Sequence, residues 1–222
     1  MQFADRRQAG RWLASKLERY REGAGVIVLG LPRGGVPVAF EVAQALNVPL
    51  DVFIVRKLGF PGHEEFAMGA IATGGVRVMN PDLSGIHVDE TAFEAVVARE
   101  RAELARRELL YRDARPAVTV EARTVILVDD GLATGSTMLA AAAAVKRQQP
   151  RSVVVAVPVA APEACQALRR EVDDVVCAAT PTPFRAVGLW YEDFRQVTDA
   201  EVRQLLHAAW TAEASRGDAD SG

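Results

Sequence analysis

The sequence predicts an α/β protein with a doubly wound, mainly parallel sheet. Three short runs rich in Val and Ile have the composition of strands that are buried on both faces: residues 26–29, 125–128 and 153–157. Residues 52–55 and 175–177 are weaker strand candidates. Helical stretches separate most of these runs, and that alternation is expected of βαβ units.

Six segments have helical patterns: residues 6–20, 36–46, 91–112, 137–148, 162–170 and 199–212. Their ends carry residues that are favoured there. Asp5, Asp89 and Thr198 are candidate N-caps, and Pro162 suits a first helical turn. Asn47 can adopt the left-handed conformation that stops a helix. Residues 91–112 carry a sparse apolar stripe among many charges, so we expect this helix to be mostly solvated.

Three segments do not fit the alternation of strands and helices. Residues 57–89 contain Gly59 and Pro61 and then a Gly74-Gly75 turn, which predicts a mobile loop followed by a hairpin. Residues 180–193 concentrate prolines and aromatics, and residues 213–222 are small and polar, as in a disordered tail. We therefore expect a single domain over residues 1–212, with its core at about 25–180.

Composition excludes several classes of function. The chain has 222 residues, half of them hydrophobic, which suffices for one sizeable core. Its net charge of −3 and its lack of Lys/Arg-rich runs disfavour a nucleic-acid partner. The apolar runs fall short of the roughly 20 residues that span a bilayer. We expect a soluble cytoplasmic protein with no membrane partner, in which Cys165 and Cys177 act as small apolar residues in a reducing compartment.

Residues 125–137 carry the chemistry: an apolar strand, two acids, a turn rich in Gly and hydroxyl residues, and a helix. In an open parallel sheet, ligands bind beyond the carboxyl ends of the strands, and this is where Asp129 and Asp130 lie. The turn leads into a helix N-terminus, whose unpaired N–H groups attract phosphate, with hydroxyls from Thr134, Ser136 and Thr137. The pattern predicts a site for a sugar phosphate whose diol meets the two acids.

Other phosphate sites fit this turn less well. It has no Lys before its Ser-Thr pair, which disfavours a nucleoside-triphosphate P-loop, and no G-x-G-x-x-G marks a dinucleotide fold. An ordinary strand, turn and N-cap is the structural alternative, although it explains two adjacent acids poorly.

The run VILVDDGLATGST resembles the motif with which type I phosphoribosyltransferases bind 5-phosphoribosyl-1-pyrophosphate (PRPP). The resemblance implies the type I phosphoribosyltransferase fold, with a flexible loop or hairpin insertion and a small hood at about residues 181–195 with the C-terminal helix. It further implies that Asp129 and Asp130 contact the ribose hydroxyls as catalytic residues. The segment Ala133, Thr134, Gly135, Ser136 and Thr137 would hold the 5-phosphate. Many 6-oxopurine enzymes carry an Asp where Ala133 stands, which disfavours a hypoxanthine-guanine assignment.

The same resemblance assigns two further groups to the donor. Arg33, Gly34 and Gly35 match the loop that binds pyrophosphate through backbone amides, often with a non-proline cis peptide. Arg56 and Lys57 would stabilise the pyrophosphate leaving group as catalytic cations. A simple tight turn is the alternative for the glycine pair.

Two mobile elements complete the expectation. Residues 58–66, including Gly59, Pro61 and Glu65, match the flexible loop that closes over PRPP, with a solvated surface loop as the alternative. Trp190 or Tyr191 in the hood could stack on a flat heterocycle, although aromatics at such places are more often core anchors.

We therefore expect a Mg²⁺-dependent phosphoribosyltransferase of nucleotide salvage, acting on PRPP and a small-molecule acceptor, most simply a nucleobase. Mg²⁺ would be held by PRPP and water, with Asp129 and Asp130 as additional candidate ligands, and no dedicated protein cage is expected. A homo-oligomer is common in the family. The alternative function is a PRPP-sensing regulatory protein that keeps the fold without transferase activity.

Overall fold

A five-stranded parallel sheet forms the centre of the computed structural model, which describes residues 2–60, 63–80, 89–113 and 115–219, without the side chains of residues 63–66 and 216–219. Its strands are β1 (Val26–Gly30), β2 (Leu50–Val52), β6 (Thr124–Val128), β7 (Ser152–Val159) and β8 (Asp174–Ala179). They lie in the order β2-β1-β6-β7-β8, and all four neighbouring pairs are parallel. The three apolar runs are the central strands, so the predicted fold class is confirmed.

A second, antiparallel sheet contains β3 (Val55–Phe60), β4 (His63–Ala72) and β5 (Val76–Met79). The turn at Gly74 and Gly75 joins β4 to β5, as the sequence predicts. Residues 52–55 are not one strand, because β2 ends at Val52 and the chain then leaves the parallel sheet: the N–H of Ile54 donates to Thr73 Oγ1 at 3.0 Å.

The predicted loop at residues 58–66 is, over its described part, a hairpin of β3 and β4. Gly59 lies at an irregularity where the register of the two strands shifts. Pro61 lies outside the described residues, as does the side chain of Glu65. The closing motion expected of this segment stays a prediction.

The described residues form six α-helices close to those predicted: α1 (Arg6–Ala14), α2 (Gly35–Leu46), α3 (Glu90–Arg112), α4 (Ser136–Lys146), α5 (Pro162–Leu168) and α6 (Asp199–Ala219). The expected caps are present. Asp5 Oδ1 accepts from the N–H of Gln8 at 2.7 Å, and Asp89 Oδ1 accepts from that of Ala92 at 2.8 Å. Asn47 ends α2 in the left-handed conformation.

Two helix ends differ from expectation. Helix α1 ends at Ala14, and a separate 3-10 turn covers Glu18–Tyr20. Helix α6 continues to Ala219, beyond the expected end at 212 and into the stretch for which a disordered tail was expected, while residues 220–222 lie outside the described part. The Nε1–H of Trp210 donates to Leu50 O at 3.0 Å and so ties α6 to the sheet well along its length.

Helices cover both faces of the parallel sheet, because alternate residues of each central strand point to opposite faces. Val28, Ile126 and Val154 pack on one side with α1, α2, α3 and α6, whereas Ile27 and Val125 pack on the other with α4 and α5, and the antiparallel sheet contributes residues to both sides. Both layers are almost fully buried, which leaves the carboxyl ends of the strands as the polar edge.

The expectation that the two cysteines are separate apolar residues is wrong, because Cys165 and Cys177 form a disulfide. Cys165 is buried in α5, and Cys177 lies in β8, against which α5 packs. Their sequence separation of 12 shows no recognisable disulfide spacing, and only the packing of α5 on β8 brings them together.

Among the helices of the described ranges, none has the length and apolar character to span a membrane.

Candidate active site

The loops that follow β1 and β6 lie side by side at the carboxyl edge of the parallel sheet. Gly30 pairs with Val128 in register, and the N–H of Leu31 then donates to Val128 O at 2.9 Å. The pair Asp129 and Asp130 follows β6 directly. Two sequence motifs separated by about a hundred residues therefore form one site.

Gly34 and Gly35 allow the first loop to pack against the two acids. A Cβ atom on Gly34 would lie 2.1 Å from Asp130 Oδ2, and one on Gly35 would lie 2.6 Å from Val128 O. The backbone of Gly34 is right-handed, so the requirement for glycine comes from this close approach. The peptide between Pro32 and Arg33 is cis, the feature expected of this loop.

The side chain of Arg33 pairs with a carboxylate at the start of α6. Its Nη1 is 3.8 Å from Asp199 Oδ1, and the hydroxyl of Tyr111 donates to the same carboxylate oxygen at 2.6 Å. The expected contact of Arg33 with pyrophosphate stays a prediction.

The carboxylates of Asp129 and Asp130 each keep one oxygen available. Asp129 Oδ1 accepts from the N–H of Asp130 at 2.9 Å, and Asp130 Oδ2 accepts from Arg6 Nε at 2.8 Å. Within the described part of the chain, no other residue donates a hydrogen bond to Asp129 Oδ2 or Asp130 Oδ1, and neither atom is a buried orphan. The carboxyl edge of the sheet therefore carries two consecutive acids, each with an oxygen that no other described residue bonds.

The surroundings of both acids raise their pKa and so favour the protonated form. Desolvation raises the pKa of Asp129 well above its usual value, and the negative charge of Asp130 adds to the rise. Desolvation also raises the pKa of Asp130, while the neighbouring Arg6 guanidinium opposes that rise. Such a pair favours partners that donate hydrogen bonds or carry positive charge.

Arg6 is the residue that sequence reasoning missed. It is the first residue of α1, its side chain is only 10% exposed, and its Nη1 donates to Arg195 O at 2.9 Å. Its guanidinium also lies 4.0 Å from the centroid of the Phe194 ring. One local signal was available: the first turn of α1 carries Arg6 and Arg7 and no acid, which opposes the helix dipole and suggests that a tertiary partner holds them.

The turn at residues 131–137, which the sequence predicts to bind phosphate and which is called the phosphate turn below, leads into an exposed helix N-terminus. Gly135 is the N-cap of α4 with φ of 74°, which favours glycine. Ala133, Thr134, Ser136 and Thr137 are exposed around it, and the hydroxyls of Thr134 and Ser136 lie 3.2 Å apart. Unpaired N–H groups and hydroxyls at one exposed helix end can bind a phosphate.

Of the two cations on β3, Lys57 reaches this turn and Arg56 does not. Lys57 Nζ donates to Ser136 Oγ at 3.0 Å. Arg56 Nη2 lies 2.6 Å from Glu100 Oε2 on α3, and adjacent residues of a strand point to opposite faces. Both cations belong to the antiparallel sheet, and the expectation that they act on the donor stays a prediction.

The two aromatic residues of the hood, Trp190 and Tyr191, pack in a cluster beside the acid pair. Tyr191 is 3% exposed, its hydroxyl donates to Asp130 O at 2.5 Å, and its ring lies 5.6 Å from that of Phe3 and 5.0 Å from that of Phe194. Tyr191 is therefore a core anchor rather than a stacking face. Trp190 is half-buried in the same cluster, and its indole N–H has no acceptor among the described residues.

Comparison with known proteins finds a matching family model, two curated relatives and a similar solved structure. The family model "Phosphoribosyl transferase domain" matches residues 3–189. The chain is 45% identical over 220 residues to "Putative phosphoribosyl transferase Rv0571c" of Mycobacterium tuberculosis (strain H37Rv), an alignment that covers 99% of this chain and 49% of that protein. A second protein of that description, MT0597 of strain CDC 1551, matches to the same extent. The chain thus spans about half the length of these relatives.

A solved structure is similar over most of both chains. The crystal structure of TT1426 from Thermus thermophilus superposes with a TM-score of 0.83 at 47% identity, covering 93% of this chain and 98% of that one.

Proposed function

Because this chain belongs to the phosphoribosyl transferase domain family, we propose that it transfers the 5-phosphoribosyl group of PRPP to a nitrogen acceptor and releases pyrophosphate. The observation that carries the proposal is the pair of available carboxylate oxygens on Asp129 and Asp130, between a glycine loop and an open helix N-terminus. A sugar with a 2,3-diol and phosphates on both sides matches this arrangement: the diol would donate to the carboxylates, and the phosphates would accept from the backbone N–H groups on either side.

Each part of the donor has a complementary group. The two ribose hydroxyls would donate to Asp129 Oδ2 and Asp130 Oδ1, since carboxylates accept strong hydrogen bonds. The 5-phosphate would bind at the start of α4, where Ser136 and Lys57 already contact each other. The pyrophosphate would meet the backbone of Gly34 and Gly35, where the missing side chains permit close approach.

The residues of this chain act mainly by positioning and electrostatics. As the bond from C1 to pyrophosphate breaks, positive charge develops on the ribose ring, and two partly desolvated carboxylates beside the ring stabilise it. Of the two cations on β3, Lys57 can reach the phosphates, whereas Arg56 is paired with Glu100. The acceptor nitrogen then forms the new bond to C1.

Mg²⁺ fits this donor set as a partner of the substrate. The described residues contain no cluster of three or more His, Cys, Asp or Glu side chains for a metal, whereas Asp129 and Asp130 offer two oxygen donors of the kind that Mg²⁺ prefers. When bound with PRPP oxygens and water, the ion would neutralise charge on the departing pyrophosphate.

The acceptor we propose is a nucleobase or a similar nitrogen heterocycle, which would give the reaction a role in cytoplasmic nucleotide salvage. Ala133 offers no carboxylate to assist a base nitrogen, so a 6-oxopurine is the less favoured choice. Leu189 is an exposed apolar side chain of the hood that could meet a flat ring, whereas Tyr191 is buried.

The test is Asp130→Asn, assayed by pyrophosphate release over a panel of bases and by calorimetric titration with PRPP and Mg²⁺. The amide puts a donor where an acceptor is needed, so we expect turnover to fall by about 100-fold or more while the melting temperature stays near that of the wild type. Asp113→Asn is the matched control, because Asp113 is exposed and pairs with Arg203 at the surface. Unchanged turnover in Asp130→Asn would contradict the proposal.

A regulatory protein that binds PRPP without transferring it is the second candidate. The pairing of Arg56 with Glu100 favours it, since a transferase gains more from a free cation near the leaving group. Calorimetric binding of PRPP with no pyrophosphate released for any base would identify this function.

A further inference from the structure

Arg6 joins the acid pair to the hood. Its Nε donates to Asp130 Oδ2 at 2.8 Å, its Nη1 donates to Arg195 O at 2.9 Å, and its plane lies over the ring of Phe194. The N-terminal segment runs along the hood just before it, since the N–H of Phe3 donates to Trp190 O at 2.8 Å. A residue of the first helix thus contacts the carboxyl edge of the sheet, 124 positions before its partner Asp130 in the sequence.

These contacts determine the orientation of the Asp130 carboxylate. Oδ2 lies between Arg6 and the Cα of Gly34, where no room remains for even a methyl group. The hydroxyl of Tyr191 holds the backbone carbonyl of the same residue. With Oδ2 and the backbone fixed, Oδ1 is the carboxylate oxygen of Asp130 to which no other described residue donates.

No other cation performs this task within the described ranges. Arg6 makes the one ion pair with Asp130, and Asp129 makes none there. Arg7 follows Arg6 on the helix but lies 3.5 Å from Glu41, and its side chain is 54% exposed. Two adjacent acids without Arg6 would repel each other and lose their fixed geometry.

We propose that Arg6 is a positioning residue for the sugar diol: it clamps Oδ2 of Asp130 so that Oδ1 accepts from a ribose hydroxyl. This role rests on the proposed binding of PRPP, and it adds the first helix to the site. Arg6 does not touch the donor; it acts through Asp130. Its loss therefore weakens recognition of the ribose and leaves the phosphate turn of α4 intact.

The experiment compares two probes by calorimetry, ribose 5-phosphate and inorganic phosphate, on the wild type, Arg6→Gln and Arg7→Gln. Both probes use the phosphate turn, but only the first uses the diol. We expect Arg6→Gln to weaken ribose 5-phosphate by about 10-fold or more, the range of one charge-assisted hydrogen bond, with inorganic phosphate unchanged. Arg7→Gln removes the same charge one residue away and should leave both affinities at the wild-type values.

A lysine variant separates positioning from folding. Arg6→Lys keeps the charge but cannot hold Asp130 and Arg195 O together, so we expect a selective loss between those of the wild type and Arg6→Gln. Melting temperatures show which variants fold. If Arg6→Gln does not fold, the ratio of the two affinities in Arg6→Lys decides: a reduced ratio supports the role, and an unchanged ratio overturns it.

Other outcomes overturn the role in distinct ways. Equal weakening of both probes would mean that Arg6 only supports packing. Tighter binding of ribose 5-phosphate by Arg6→Gln would mean that Arg6 competes with the sugar. A wild-type protein that binds ribose 5-phosphate no better than inorganic phosphate would remove the proposed function and this role together, whereas a wild-type preference that survives in Arg6→Gln removes this role alone.

Discussion

Replacing Gly34 by alanine should impair donor binding in a protein that still folds. The new Cβ would lie 2.1 Å from Asp130 Oδ2, so reaching an ordinary contact of 3.4 Å requires a shift of about 1.3 Å. The backbone at Gly34 is right-handed and accepts alanine. The atom that must move is the end of a side chain, so the expected loss is mainly its hydrogen bond to Arg6, about 1.5–3 kcal/mol of the free energy of unfolding.

The same displacement should weaken PRPP binding, because a displaced Asp130 carboxylate no longer faces the ribose hydroxyl. We expect the calorimetric Kd for PRPP with Mg²⁺ to rise by about 10- to 100-fold, a free-energy change of about 1.4–2.8 kcal/mol, and urea unfolding to show a stability loss of similar size. Gly23→Ala is the control: its Cβ would lie 2.5 Å from Val26 Cγ2, at the opposite end of β1. Unchanged PRPP affinity in Gly34→Ala, or an equal loss in Gly23→Ala, would refute the reasoning.

Two further predictions concern charged residues. Lys57→Met should reduce PRPP affinity by about 10-fold with little change in stability. Arg56→Met should instead lower the free energy of unfolding by about 1–3 kcal/mol, because it removes a cation that pairs with buried Glu100. Steady-state kinetics and urea unfolding measure the two effects, and the reverse order would contradict the assignment. Hydrogen bonds from Arg195 and from the N–H of Thr198 lower the pKa of Glu201 to about 2, below the ordinary 4.5, so its ionised form stabilises the fold above about pH 4.5 and this stabilisation disappears as the pH falls to 2. Glu201→Gln should therefore lower the melting temperature at pH 7 and match the wild type near pH 2; a difference that does not vary with pH would contradict this.

Local patterns in the sequence were sufficient for the fold class and for the centre of the site. The buried runs of Val and Ile define β1, β6 and β7, because a strand covered on both faces has no polar positions. The order strand, acid pair, glycine turn and helix defines the edge where Asp129 and Asp130 lie, since each step joins residues that are neighbours in the chain. Caps such as Asp5 and Asp89 are local for the same reason.

Contacts between distant segments were decided only by the tertiary structure. The pairing of Arg6 with Asp130 spans 124 positions, and the disulfide of Cys165 and Cys177 depends on how α5 packs on β8. Lys57 contacts Ser136 and Arg56 pairs with Glu100, because the two residues lie on opposite faces of β3 and only one face meets α3. Such partners leave no periodic or adjacent pattern in the chain, because the energy that selects them arises only after the sheet and helices have packed.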